Sequence, residues 1–171
     1  MRPGGGKQKG AQFERDMCVT LSRWLTYGDK DDIFWRSAMS GGRATVAHNK
    51  YGKRLSNQVG DISCIDPIGN YFISTFAPEC KFYASLGYEG LLTGKSKLLT
   101  FWDEIKKQAE IHGKYPILFA RQNRMLPHVC LSKSGLRKLG LRDIDVCLIN
   151  PPHNIYILGV NEFVKNCKPF V

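Results

Sequence analysis

The sequence contains no C-x-x-C pair. Its six cysteines, Cys18, Cys64, Cys80, Cys130, Cys147 and Cys167, lie scattered, mostly in apolar runs. A structural zinc site needs short-spaced ligand pairs, so the pattern argues against zinc and for buried free thiols in a reducing compartment. The four histidines, at 48, 112, 128 and 153, fit neither H-E-x-x-H nor zinc spacing. No Walker loop is present, because the stretch Gly90 to Ser96 has too few residues between its glycines; it reads as a basic loop. No apolar run approaches the roughly 20 residues of a membrane span. No apolar h-region follows the basic, glycine-rich start. The expectation is a soluble, cytoplasmic protein with no membrane partner. Internal repeats are absent, as is low complexity beyond the first ten residues.

Acidic residues are also in short supply. Lys and Arg number 25 against 15 Asp and Glu, a net charge of +10 on 171 residues. That length makes one domain with a proper core. Such an excess favours a polyanionic partner, nucleic acid before anionic membrane; the bland alternative is a basic surface that binds nothing. An RNA-binding domain is disfavoured by the lack of an aromatic-rich RNP-like run.

Residues 1–10, with Gly4-Gly5-Gly6, Lys7 and Lys9, read as a flexible basic arm. A single domain over 11–171 follows, with a core to about 120 and a C-terminal extension over 121–171. A helix is expected over about Ala11 to Tyr27. Phe13, Met17, Cys18, Leu21, Trp24 and Leu25 share its apolar stripe, with Glu14 the only charged residue inside. A lone buried carboxylate is costly unless it is paired or binds a metal. At the stripe's edge, near the helix start, the dipole would also favour it, and the sequence leaves both readings open. Ile33 to Arg36 reads as a short aromatic strand. The polar loop Ser37 to Asn57 then carries Gly41-Gly42, Arg43, Lys50, Lys53 and Arg54, with Arg36 at its mouth. About 20 residues without periodicity suggest either a functional loop or a solvated insertion.

Strands are expected over Val59 to Ile65 and Tyr71 to Phe82, joined by a turn at 66–70, with Pro78 at an edge or bulge because it cannot donate to a ladder. A second helix, about Leu98 to His112, has Thr100 and Asp103 in capping-box spacing. Strands at 116–120 and 129–131, a short helix at 134–139, a hairpin of 146–149 with 155–158 and a terminal turn near Asn161 complete the chain. This order gives an α/β or α+β domain around one sheet.

The chemistry concentrates in Val59 to Lys81. Alternation along a strand puts Glu79 and Lys81 on one face and Cys80 on the other. If the two runs pair as a hairpin, Asp61 sits beside them. Glu-x-Lys alone is a weak signal. Asp61 one strand earlier, Glu14 on an apolar face and the basic chain strengthen it. Two carboxylates hold Mg²⁺ through oxygen and leave positions for water and phosphate. Lys81 can orient that water or stabilise charge on the phosphorane.

These residues resemble the PD-(D/E)XK nuclease superfamily, and most closely the archaeal-type Holliday junction resolvases. The likeness starts at Lys9-Gly10 and Glu14-Arg15, similar to that family's opening helix. It continues through Phe34-Trp35-Arg36 and Ser40-Gly41 to Asp61 and Glu79-Cys80-Lys81, then to Trp102 and Pro116-Ile117-Leu118. It implies an α/β restriction-endonuclease-like fold, a mixed central sheet flanked by helices. It also implies Mg²⁺-dependent phosphodiester hydrolysis, with Mn²⁺ as a substitute, by a homodimer on branched DNA. Glu14, Asp61, Glu79 and Lys81 inherit catalytic roles, and Ser40 a place near the scissile phosphate. Asp61, Glu79, Glu14 and the Cys80 carbonyl inherit metal ligation. Lys7, Lys9, Arg15, Arg36, Arg43, Lys50, Lys53 and Arg54 are the candidate DNA contacts. The loop before Asp61 and the roughly fifty residues after Ala120 exceed a minimal resolvase. A nuclease for duplexes or ends, and a catalytically silent DNA-binding module, are therefore the competing readings.

Overall fold

The computed structural model describes residues 5–37 and 59–169. Helix α1 spans Gly5–Leu25, and strands β1 (Phe34–Arg36) and β2 (Ile62–Cys64) follow. A short helix α2 (Asn70–Thr75) leads into β3 (Phe76–Tyr83), helix α3 (Lys97–Ile111) and β4 (Tyr115–Gln122). The chain closes with β5 (His128–Leu131), α4 (Lys133–Lys138), β6 (Leu148–Asn150), β7 (Ile155–Gly159) and α5 (Val160–Asn166). Strands β3 to β7 form one mixed sheet in the order β3-β4-β5-β7-β6; β3 and β4 are parallel and the other pairs antiparallel. The expected α/β architecture, a mixed sheet flanked by helices, is what the chain adopts.

Period-two alternation sorts the sheet's side chains into two layers. Ile117, Phe119, Val129, Leu131, Tyr156 and Leu158 pack with the stripe of α1, with Phe72 of α2 and with Phe163 of α5. Leu118, Ala120, Cys130, Ile155 and Ile157 face the other way, against Leu98, Leu99, Trp102 and Ile105 of α3. The residues beyond Ala120 supply β5, β6 and β7 of this sheet. They are also tied to α1, because the Trp24 indole N–H donates to the Cys167 carbonyl at 2.8 Å. Among the described residues no helix is long and apolar enough to cross a membrane.

Four expectations need correction. The helix starts at Gly5, inside the stretch read as a flexible arm, because Lys7, Gln8 and Lys9 are good straight-chain helix formers that carry the intervening glycines. Residues 70–75 are helical although Tyr71, Phe72 and Ile73 favour strand. Asp66 caps the turn before them by accepting from the Ile68 N–H, Pro67 opens it, and Phe72 stacks one turn on against Phe76 at 5.3 Å. Thr100 does not cap α3, since the helix begins earlier with Ser96 as N-cap; the Ser96 hydroxyl donates to the Leu86 carbonyl instead. Lastly, β2 does not form a hairpin with β3. It pairs antiparallel with β1 in a separate two-stranded ribbon, Arg36 opposite Ile62.

The extended run expected from Val59 is broken at Gly60, whose φ is +97°. A Cβ at Gly60 would run into the carbonyl of Pro78. Both the backbone conformation and the approach exclude a side chain there. Gly60→Ala should therefore destabilise the fold by about 2–4 kcal/mol. In thermal denaturation that corresponds to a fall in Tm of roughly 5–15 °C for a domain of this size.

Candidate active site at the free edge of strand 3

Strand β3 pairs with β4 on one side only and ends the sheet. In an extended strand the N–H and C=O of one residue point to the same side, and successive residues alternate. Pro78 and Cys80 turn theirs outward, away from β4. Pro78 therefore sits where its missing N–H deprives the ladder of nothing, the edge position its sequence required. Its carbonyl accepts the Asp61 N–H at 2.8 Å. Two residues on, the Cys80 N–H donates to Asp61 Oδ2 at 2.9 Å. The Ser37 N–H closes the clip from the other side by donating to the Asp61 carbonyl at 2.8 Å. Backbone and side chain of Asp61 are thus held against the edge of β3, and the residue is only 5 % exposed.

Glu79 and Lys81 share one face of β3, opposite Leu118 and Ala120 of β4, while Cys80 is buried toward α1. Lys81 Nζ lies 2.6 Å from Glu79 Oε1. Its ammonium is also 5.7 Å from the centroid of the Phe101 ring on α3. The alternation brings these two together, and the clip adds Asp61.

The electrostatics follow from that crowding. Burial, then the adjacent negative charge of Glu79, push the Asp61 carboxyl up to about 6; the Cys80 amide and Lys81 pull against them, and a hydrogen bond with Glu79 adds to the rise. For Lys81, burial works against the ammonium. The Glu79 charge and hydrogen bond, with Asp61 beyond, outweigh it, so the amine is held protonated more firmly than a free lysine. Two touching carboxylates, one of them buried, call for a cation beyond what Lys81 supplies. Their oxygen donors suit a hard divalent ion. The Cys80 carbonyl, on the same edge as its N–H, is a third oxygen in position.

Glu14 is placed differently. It extends from α1 to Arg36, whose Nε is 2.5 Å from Glu14 Oε2. Both Glu14 and Asp61 act on the buried Cys18 thiol, so they border the same helix–strand interface. Among the described residues no three His, Cys, Asp or Glu side chains gather closely enough to hold one ion. Half-buried Glu14 is thus paired with an arginine. Lys7, Lys9 and Arg15 are exposed along α1, with Arg15 bonded to Gln12. Ser40, Arg43, Lys50, Lys53 and Arg54 lie outside the described residues. The sequence reading missed Gly60, the Pro78 carbonyl and Phe101; only Gly60, next to an acid at the end of an apolar run, offered a signal.

Residues 5–144 match the model of a family described as "Phage putative PDDEXK endonuclease". The chain belongs to that family. Membership places it in the PD-(D/E)XK superfamily and supports a nuclease; nucleases of this kind generally depend on a divalent metal. No curated protein and no solved structure matches the chain.

The raised carboxyl has a consequence for stability. A native pKa of about 6 against an ordinary 3.8 means that Asp61's contribution is fully present below about pH 3.8 and is lost as the pH rises through about 6. Wild-type protein without metal should lose about 1–3 kcal/mol across that window. Asp61→Asn, which keeps an acceptor for the Cys80 N–H, should not. Chemical denaturation at pH 4 and pH 8 checks this: the variant should be the more stable protein at pH 8 only.

Proposed function

We propose that the chain is a Mg²⁺-dependent endonuclease that hydrolyses phosphodiester bonds in branched DNA, in the manner of a Holliday junction resolvase. The observation that carries the hydrolytic reading is the clipping of Asp61 beside Glu79 and Lys81. Asp61, Glu79 and the Cys80 carbonyl would hold the metal. Once bound, it supplies Lewis acidity and a water of lowered pKa next to the phosphate.

The rest of the work falls to the chain's own groups. Lys81, kept protonated by Glu79, donates to a non-bridging phosphate oxygen and stabilises the charge that develops there during attack. Water gives up one proton to solvent as its oxygen bonds to phosphorus, the bond from phosphorus to the leaving deoxyribose oxygen breaks, and that oxygen takes a proton from solvent. Arg36 stands next to Ser37, which is tied to Asp61, so its guanidinium can meet the phosphate as it enters. Glu14 acts as a positioning residue through Arg36. Ser40 belongs to the segment that follows and is assigned a contact near the scissile phosphate.

The preference for branched DNA is supported by the order Glu14, Arg36, Ser40-Gly41, Asp61, Glu79-x-Lys81, which resembles the junction resolvases. DNA binding of any shape is supported by the charge of +10, to which Lys7, Lys9, Arg15, Arg43, Lys50, Lys53 and Arg54 contribute. A homodimer would set two such sites on a four-way junction.

The test is cleavage of a four-way junction and of a linear duplex of the same sequence, with and without Mg²⁺. Wild type should cut the junction preferentially, and Asp61→Ala, Glu79→Ala and Lys81→Ala should each lose at least about 100-fold in kcat. Equal cutting of both substrates replaces the junction by duplex or end specificity. Salt-sensitive binding with no cleavage of any DNA makes the chain a silent binding module.

A further inference from the structure

Beyond Lys81 the same face of β3 carries Tyr83, the next residue in the Glu79, Lys81 alternation. Its ring lies 4.9 Å, centroid to centroid, from Phe101, the ring that also borders Lys81. Over the Tyr83 ring, 3.9 Å from its centroid, stands the ammonium of Lys97, the first residue of α3; it is also 5.7 Å from the Phe101 ring. Phe101 therefore has an ammonium at 5.7 Å from each of two lysines, Lys81 of the site and Lys97 outside it. The two charges differ in one respect. Lys81 is ion-paired with Glu79. Lys97 has no carboxylate within ion-pairing distance among the described residues, and it is exposed, as Tyr83 is at 36 %.

A surface lysine ordinarily samples many rotamers, and fixing one costs entropy. Here two rings hold the side chain through cation–π attraction. The ammonium is left with donors free to bond to an oxygen anion. Phosphates on one DNA strand recur every 3.4 Å or so of helix axis, so a lysine one aromatic ring away from Lys81 falls within reach of a phosphate neighbouring the scissile one.

We propose that Lys97, held by Tyr83 and Phe101, binds a backbone phosphate adjacent to the one that is cut, and so sets the path of the strand through the site. The assignment rests on the nuclease reading above. Lys97 is a binding residue and Tyr83 its positioning residue. The contact is to backbone and carries no base preference.

The experiment measures the salt dependence of DNA binding without metal by fluorescence anisotropy. The probes are the linear duplex and the four-way junction, and kcat and KM are measured separately with Mg²⁺. Lys97→Ala should lower the slope of log affinity against log salt by about 0.9 and raise KM about fivefold on both DNAs, with kcat held. Lys97→Arg should restore the slope. Tyr83→Leu should give part of the loss, and Tyr83→Phe less of it. Unchanged slope and KM in Lys97→Ala would overturn the assignment, as would a loss confined to kcat, which would mean that Lys97 merely supports Phe101 and Lys81. Wild type that binds DNA with the Lys97-dependent slope but cuts none would overturn the nuclease reading and leave the phosphate contact standing. Wild type that cuts DNA while Lys97→Ala behaves as wild type would overturn this contact alone.

Discussion

Two hydrogen bonds hold the start of β2 to the outer edge of β3: Asp61 N–H to the Pro78 carbonyl, and Cys80 N–H to the Asp61 carboxylate. Everything at the site depends on them. An edge strand usually exposes unpaired groups that invite another strand. Here two of the outward groups, the Pro78 carbonyl and the Cys80 N–H, are taken by a single aspartate. The side chain replaces a strand as acceptor and stops further pairing. Pro78 contributes by having no N–H to satisfy, and Gly60 by letting the chain come close enough to make the bonds.

The same clip makes the site electrostatically expensive. It drives a carboxylate into a nearly buried position next to Glu79, and the fold compensates only partly, through the Cys80 amide and Lys81. The Glu14–Arg36 pair beyond is partly exposed, so its direct contribution to stability is at most about 1 kcal/mol. A structure under selection for stability alone would have little reason to keep two touching acids at a sheet edge. Perturbed, crowded carboxylates of this kind, in a chain of the PD-(D/E)XK family, mark the edge of β3 as the candidate functional site.

The legible parts of the sequence were those with a strong period. The stripe of α1, the stripe of α3 and the strands around Ile117 and Val129 all follow from spacing. So does the pairing of Glu79 with Lys81 on one face, since strand alternation allows no other arrangement. The illegible parts were decided by tertiary contact. Residues 70–75 have strand-like composition, and a capped turn with Phe72 packing on Phe76 makes them helical. Asp61 was recognised as a neighbour of Glu79 for the wrong reason, a hairpin, when the real link is a side chain bonding to a backbone. For Glu14 the sequence left open a paired carboxylate and an edge acid favoured by the helix dipole, and nothing in local spacing could name Arg36, which lies across a helix–strand contact.

The ribbon of β1 and β2 then fixes where Arg36 stands relative to the carboxylates. Arg36 is opposite Ile62, and Ser37 is bonded to Asp61, so the end of β1 is held beside the acid. On the opposite flank, Tyr83 and Phe101 hold Lys97 beyond Lys81. Arg36 on one flank and Lys97 on the other are therefore the described cations nearest the ends of this arrangement. On the function proposed above, a strand of DNA following these two charges would be led across Asp61 and Glu79.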